Sequence, residues 1–206
     1  MTRLLPGILA MAIVVVASNI LVQHPLGFYL TWGALTYPLA FLVNDITNRL
    51  HGPEAARRVV FVGFLTGLVC SAIGTQIMGE FGPLVTLRVA IGSGVAFLTA
   101  QLMDIVIFNR LRQRSWWKAP LIASALGSVI DTAIFFPIAF SATLSMLEPS
   151  NDVSWAGELM PLIGLGPVVP FWVSLATADF LVKLAIAVLA LAPFRIAIGK
   201  LITKVA

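Results

Sequence analysis

The chain alternates long apolar runs with short polar segments, and six of the runs approach or exceed the thickness of a bilayer. A helix needs about 20 apolar residues to cross the hydrocarbon core. The runs are rich in Leu, Ala and Ile and show little alternation, which argues against a transmembrane barrel. Because backbone polar groups in lipid must be satisfied within the segment, each run is predicted to be a helix. The predicted spans are residues 4–22, 28–46, 59–78, 84–108, 119–147 and 170–193.

The composition indicates a membrane protein with one domain. Of the 206 residues, 59% are hydrophobic and only 11% are charged, whereas a soluble domain carries about 25% charged residues. Six spans leave enough residues for short loops and little else, so residues 1–206 are predicted to form a single six-helix transmembrane domain of the all-α class. The single cysteine, Cys70, excludes an internal disulfide and a Cys-based metal site. No cleavable signal peptide is predicted.

The basic residues fall on one side of the predicted spans. Eleven of the 13 Lys and Arg residues precede span one, follow span six, or lie in the loops after spans two and four. The opposite loops hold no Lys or Arg and carry Glu80, Glu148, Asp152 and Glu158. This asymmetry predicts that both termini are cytoplasmic. The positive charge then indicates contact with anionic lipid headgroups rather than with nucleic acid.

The longest predicted loop, residues 148–169, lies on the outer side and holds Trp155 and several prolines. The segment 155–165 has two interpretations. It either lies in the membrane interface as a lipid-contacting connector, which is the simpler interpretation, or folds over the mouth of a cavity as a lid.

Several polar side chains fall inside the predicted spans, where they are costly and usually face the interior of a bundle or a cavity. We predict that they converge on one substrate-binding cavity between the midplane and the outer surface. The candidates are Asn19, Gln23, Trp32, Arg88, Asp131, Asp179 and Lys183. Carboxylates and amides that read ring edges, with an indole for stacking, suit a small planar polar solute. The alternative is structural: Asp179 with Lys183, and Arg88 with Asp131, would be buried pairs that hold the bundle together.

A second polar set lies near the cytoplasmic ends of the spans. It comprises Asn44, Asp45, Gln101, Asp104 and Asn109, and the nearby basic residues include Arg49, Arg57, Arg58 and Arg110. One interpretation is an ion-pair network that pins the cytoplasmic loops. The other is an inner gate formed by Asp45, Gln101, Asp104, Arg57, Arg58 and Arg110, whose ion pairs break as the bundle opens.

Small residues recur every four positions in spans three and four, from Gly63 to Thr75 and from Gly92 to Ala100. Such stripes let helices approach closely, within one bundle or between two, so a homodimer stays an open alternative. Pro38 and Pro137 are predicted to kink their spans. The chain has only two histidines and lacks the HExxH, Walker A and GxGxxG motifs. We therefore predict no enzyme, no cofactor and no metal site.

Short motifs occur in a specific order along the spans. They are Ser18-Asn19 with Leu21-Val22-Gln23, Thr31-Trp32-Gly33-Ala34, Pro38 through Asp45, Ala56-Arg57-Arg58, Arg88 with Ala90, Gln101 to Asp104, Phe108-Asn109-Arg110-Leu111-Arg112-Gln113, Trp116-Trp117 with Ala119-Pro120, Ser124, Gly127, Asp131-Thr132 with Phe135-Phe136, and Asp179 with Lys183. In this order and spacing, over about residues 15–190, the chain resembles the queuosine precursor transporter family.

The resemblance implies a fold similar to the membrane substrate-binding components of energy-coupling-factor transporters, in the bacterial inner membrane. It implies uptake of 7-cyano-7-deazaguanine, with 7-aminomethyl-7-deazaguanine as a second candidate, to make the tRNA nucleoside queuosine. Family members work without the ATPase module, so alternating access is expected, driven by a downhill gradient or by protons on a buried carboxylate. The alternative is a substrate-binding component for another vitamin-like or purine-like solute that requires a separate ATPase module.

The resemblance also suggests how the predicted cavity would hold the base. Its ring N–H and exocyclic amine suit Asp131 or Asp179 as acceptors. Its carbonyl suits Arg88, Gln23 or Asn19 as donors, and its flat face suits Trp32 or Phe135. Edge recognition of this kind excludes adenine, because each buried site group left unpaired costs about 1 to 3 kcal/mol.

Overall fold

The computed structural model describes residues 2–80 and 82–202, with the side chains of residues 3–80 and 82–199. Lys204, one of the basic residues assigned to the cytoplasmic side, lies outside this part. The helices are α1 (Leu5–Leu21), α2 (Gly33–Thr36), α3 (Leu39–His51), α4 (Pro53–Gly74), α5 (Leu87–Leu111), α6 (Lys118–Phe140), α7 (Phe171–Leu189) and α8 (Leu191–Ile202). The prediction of an all-α membrane protein agrees with this architecture. Among the described residues, four helical stretches are long and apolar enough to cross a membrane: α4, α5, α6 and the stretch Phe171–Gly199 formed by α7 and α8.

Three short antiparallel hairpins form at one end of the helices, which we call the hairpin end. They pair β1 (Pro25–Leu26) with β2 (Leu30–Thr31), β3 (Met78–Gly79) with β4 (Gly82–Pro83), and β5 (Leu159–Pro161) with β6 (Val168–Pro170). At the opposite end, the arginine end, Arg49 Nη1 donates to the Arg112 carbonyl and Arg112 Nη2 donates to the Arg49 carbonyl. These two reciprocal bonds tie the end of α3 to the end of α5.

Two predicted spans are interrupted helices. The second contains the β1–β2 hairpin, then α2, a break at Tyr37 and Pro38, and α3. Pro38 has no backbone N–H to continue the helical ladder, so the helix restarts at Leu39. In the sixth, Ala190 separates α7 from α8. Helix α6, in contrast, continues through Pro137.

Helix α6 is shorter than the fifth predicted span, residues 119–147. It ends at Phe140, and a 3₁₀ segment over Ala142–Leu147 follows. Ser141 caps that segment, because its hydroxyl accepts a hydrogen bond from the Thr143 N–H at 3.3 Å. A serine that competes for backbone donors ends the α-helix here, although the apolar run continues to Leu147.

Two apolar clusters hold the helices together. The first lies among α1, α3, α4 and α5 and is centred on Met11, Val59 and Phe97. The second lies at the arginine end, where α8 places Phe194 against Phe108 of α5 and the start of α6. Close approaches need small residues: a Cβ at Gly63 would lie 2.6 Å from Met11 Cγ.

Gly127 provides a test of this packing. A Cβ there would lie 2.7 Å from Phe41 Cε1, a ring that is itself buried. We expect Gly127→Ala to lower the free energy of unfolding by about 1 to 3 kcal/mol, the usual range for overpacking. Thermal unfolding of the purified protein in detergent measures the loss. Gly67→Ala is the matched control, because its Cβ would meet only Val15 Cγ1 at 3.6 Å. Equal melting temperatures for the two variants would contradict the prediction.

Candidate functional site

A buried three-residue ionic cluster joins α6 to α7. Lys183 Nζ donates to Asp131 Oδ2 at 2.6 Å and also forms an ion pair with Asp179, one helical turn earlier on α7. Only 3% of Asp131 and 3% of Lys183 is exposed. The cluster brings two carboxyl groups against one ammonium group in the interior. We call Asp131, Asp179 and Lys183 the ionic triad.

Two further polar side chains adjoin the ionic triad. Thr132 Oγ1 accepts from Lys183 Nζ at 3.3 Å and lies 3.4 Å from Asp179 Oδ2, to which it donates. Tyr37, at the break between α2 and α3, lies within electrostatic reach of Asp131 and Asp179. The sequence analysis did not place either residue in the site. Their positions beside Asp131 and Pro38 were the available signals.

The predicted site therefore separates into two groups. The ionic triad is brought together, and in it Lys183 pairs with Asp131 as well as with Asp179. The expected pair of Arg88 with Asp131 does not form. Helices α5 and α6 are antiparallel, so Arg88 in the first turn of α5 faces the end of α6, about two turns beyond Asp131.

Arg88 instead anchors the hairpin end. Its side chain is fully buried, with Nε donating to the Ile138 carbonyl at 2.9 Å and Nη2 to the Ser141 carbonyl at 2.5 Å. Its backbone N–H donates to Glu148 Oε2 at 3.1 Å. The guanidinium thus satisfies carbonyls that the end of α6 leaves without helical partners.

The remaining three predicted site residues also lie away from the ionic triad, toward the hairpin end. Asn19 Nδ2 donates to the Val15 carbonyl of its own helix at 2.9 Å. Gln23 is exposed, and its Nε2 donates to the Leu84 carbonyl at 3.3 Å. Trp32 is 47% exposed. None of the three side chains lines the small cavity beside Lys183.

Aromatic rings cover the hairpin end of α6 and α7. The Trp155 ring packs edge-on against Phe140 and Phe171, with centroids 5.7 and 6.1 Å apart, and Phe28 from the β1–β2 hairpin packs on Phe171 at 5.3 Å. Near Trp155, Ala156 is fully buried. The loop that precedes α7 thus packs Trp155 against the ends of two helices while leaving that ring 45% exposed, which fits both the lid and the connector interpretation.

A small cavity lies on the arginine side of the ionic triad. Its polar lining comes from Lys183, Asp45 and Ser124, and its apolar lining includes Pro38 and Phe194. Its volume of about 10 Å³ admits roughly one water molecule and is far below the roughly 300 Å³ of the smallest usual ligand pockets. A bicyclic base therefore does not fit here unless the helices move apart.

The second polar set lies beyond this cavity, between α3, α5 and α6. Ser124 Oγ donates to Asp45 Oδ2 at 3.1 Å, and Asn44 Nδ2 donates to Asp104 Oδ2 at 3.0 Å. Asp45 and Asp104 are both at most 2% exposed.

The expected ion pairs between these acids and the arginines do not form in the described part of the chain. Arg57 pairs with Glu54 on the exposed face of α4, and Arg58 and Arg110 are also exposed. The acids occupy the buried faces of α3 and α5, out of reach of side chains that extend toward solvent. A gate or network built on Asp45–Arg or Asp104–Arg pairs is therefore not present in this conformation.

The sequence of the chain is similar to those of known transporters. A protein family described as "Putative vitamin uptake transporter" matches residues 31–198. The "Probable queuosine precursor transporter" of Haemophilus influenzae is 35% identical over 186 residues, 76% of this chain and 79% of that protein. The "Queuosine precursor transporter" of Escherichia coli is 41% identical over 142 residues, 62% of this chain and 64% of that protein. A Bacillus subtilis relative, "Probable queuosine precursor transporter", is 26% identical over 196 residues, 85% of this chain and 74% of that protein. No solved structure matches the chain significantly.

Proposed function

Since the chain belongs to the queuosine precursor transporter family, we propose that it carries a 7-deazaguanine base, foremost 7-cyano-7-deazaguanine, into the bacterial cytoplasm. The protein is a membrane transporter and not an enzyme. We further propose six spans with both termini cytoplasmic. In this arrangement α1, the interrupted α2–α3, α4, α5, α6 and α7–α8 each cross once, and the arginine end faces the cytoplasm.

The observation that carries the proposal is the ionic triad beside an interrupted helix. Ionisable residues deep in a membrane usually mark a substrate or ion pathway, and transporter sites are often built where a helix is discontinuous. Here Lys183 bridges Asp131 and Asp179, and Pro38, at the break between α2 and α3, lines the same small cavity as Lys183. Two acceptors and one donor suit a guanine-type edge, which offers two N–H donors beside a carbonyl.

We propose that the base enters by exchanging partners within the ionic triad. A carboxylate released by Lys183 accepts the ring N–H and the exocyclic amine, while the ammonium, still held by the other carboxylate, donates to the carbonyl. Of the two predicted stacking residues, Trp32 and Phe135, only Phe135 lies on α6, one helical turn beyond Asp131. The other predicted site residues then lie at the hairpin end and do not contact the base: Asn19, Gln23, Trp32 and Arg88.

We propose that transport proceeds by alternating access to the two sides of the ionic triad. The aromatic rings of Trp155, Phe140 and Phe171 cover the hairpin end, while the cavity beyond Lys183 extends toward the arginine end. Opening toward the outside requires movement of the lid loop. Opening toward the cytoplasm requires widening of that cavity, for which the breaks at Pro38 and Ala190 provide hinges.

Uptake of labelled 7-cyano-7-deazaguanine tests the proposed substrate. Cells that cannot synthesise the base are expected to regain queuosine in their tRNA when they express this chain, because the base then reaches the cytoplasm. Cells with an empty vector are the control. Absence of queuosine, with the protein shown in the membrane, would contradict this substrate and favour another purine-like or vitamin-like solute or a required ATPase partner.

A further inference from the structure

The polar set between α3 and α5 contains two buried carboxyl groups, those of Asp45 and Asp104, without a basic partner. Among the described residues no Lys or Arg pairs with Asp45 or Asp104. The nearest ammonium along the cavity, Lys183, is already bonded to Asp131, Asp179 and Thr132. Burial of a carboxyl group in a low-dielectric interior disfavours its ionised form unless a positive charge lies beside it.

The neighbouring amides add a second, independent observation. Gln101 is fully buried, and neither its Nε2 nor its Oε1 has a hydrogen-bond partner in the described structure. The side-chain oxygens Asn44 Oδ1 and Asn48 Oδ1 are also buried and unpartnered, as are Asp45 Oδ1 and Asp104 Oδ1. An unpaired buried polar atom costs about 1 to 3 kcal/mol. Five unpartnered oxygens on two facing helices therefore indicate a cation, which such oxygens can coordinate.

The position of Asn44 ties the amides to the acids. Its Nδ2 donates both to the Gln101 carbonyl at 3.2 Å and to Asp104 Oδ2 at 3.0 Å. Asn48, one turn later on α3, donates its Nδ2 to the Ile105 carbonyl at 3.5 Å. These bonds hold the amide side chains of α3 against the same turns of α5 that carry Gln101 and Asp104.

We propose that Asp45 and Asp104, with the amide oxygens of Asn44, Asn48 and Gln101, bind a monovalent cation that is coupled to uptake. Carboxylate and carbonyl oxygens are the ligands that hard cations prefer. Sodium satisfies both the acids and the amide oxygens. A proton taken up by the carboxyl groups would add the same single positive charge to the site.

The cavity provides the link between this cation site and the ionic triad. Asp45 lines it from α3 and Lys183 lines it from α7. A cation at Asp45 and Asp104 therefore lies along the same inner path that must widen when the base leaves toward the arginine end. The coupling rests on the proposed function, whereas the binding of a cation does not.

Thermal unfolding of the purified full chain in detergent, without substrate, tests the cation site. Replacing choline chloride by sodium chloride at equal ionic strength is expected to raise the melting temperature by at least about 2 °C, because a ligand of the folded state stabilises it. Asp104→Asn removes one charge. That variant is expected to melt no lower than the wild-type protein in choline and to show no rise with sodium. Asp152→Asn, the same change on an exposed loop, is expected to retain the wild-type rise.

A second arm lowers the pH in choline chloride and distinguishes the proton from sodium. If a proton is the ligand, acidification rather than sodium stabilises the wild-type protein and not the Asp45→Asn/Asp104→Asn variant. A wild-type protein indifferent to both ions overturns the proposal. In proteoliposomes, a gradient of the effective ion should then increase uptake of 7-cyano-7-deazaguanine. Ion-dependent stability without any uptake leaves the cation site standing and contradicts the proposed substrate.

Discussion

Lys183→Met is expected to prevent most of the protein from reaching a stable folded state. The replacement leaves Asp131 and Asp179 buried beside each other without the ammonium that now contacts both. Breaking a buried ion pair by removing one partner costs about 3 to 5 kcal/mol, because the remaining charge is uncompensated. That loss is a large part of the roughly 5 to 15 kcal/mol by which folded proteins are stable. Membrane-inserted protein by quantitative blot and the melting temperature in detergent measure it.

A neutral variant separates this charge effect from a simple loss of packing. Asp131→Asn/Asp179→Asn/Lys183→Met carries no charge at the ionic triad, and replacing a whole buried ionic cluster by neutral side chains is often tolerated. It should therefore recover folded protein while remaining inactive in uptake. Lys118→Met is the matched control at the start of α6, where the ammonium lies 5.6 Å from the Trp117 ring centroid. Equal losses for Lys183→Met and the neutral variant would contradict the charge argument.

Much of the helical architecture could be predicted because apolar length is a strong signal. The predicted spans begin within a few residues of α1, α5, α6 and α7. The three hairpins were not predicted. Each has strands of only two or three residues, too short to produce a recognisable alternation of polar and apolar positions. The end of α6 was also missed, because the hydropathy of the segment does not register that Ser141, which follows the helix, caps the next segment.

The candidate site was predicted only where spacing along one helix decides the geometry. Asp179 and Lys183 are four residues apart on α7, so their pairing follows from the helical repeat. The choice between Arg88 and Lys183 as partner of Asp131 depends instead on how α5, α6 and α7 pack. The estimated depth of a residue in the bilayer could not settle that choice. At any one depth, a helix contacts several neighbouring helices through its different faces.

The polar set near the arginine end shows the same limitation. Its members were recognised as a group, but the arginines were expected to be their partners because both lie at a similar depth. In the structure, Asp45 faces Ser124 of α6, whereas Arg57 faces outward beside Glu54. Which side of a helix a residue occupies matters as much as its depth, and a nearly uniform apolar run gives little information about that side.

Asp131→Asn and Asp179→Asn are each expected to reduce uptake of 7-cyano-7-deazaguanine by about 10- to 100-fold while the protein stays folded. Either change leaves Lys183 paired with the other carboxylate, so the uncompensated charge of the Lys183→Met variant does not arise. The substrate, however, loses a charged acceptor, and a hydrogen bond to a charged group contributes about 1.5 to 3 kcal/mol. Initial uptake rates at equal membrane levels, over a range of base concentrations, measure the effect as a higher half-saturation concentration.

The same measurements distinguish recognition from a purely structural ionic triad. If the triad only held α6 and α7 together, uptake would fall in proportion to the amount of folded protein, and the half-saturation concentration would not change. Asp152→Asn, a loop carboxylate whose own contact is to the Ser154 N–H at 2.8 Å, is the control and should transport like the wild-type protein. Wild-type uptake by both Asp131→Asn and Asp179→Asn would end the recognition hypothesis, because no other carboxylate forms an ion pair with Lys183 in the described structure. A defect in one variant alone would identify which carboxylate accepts the base.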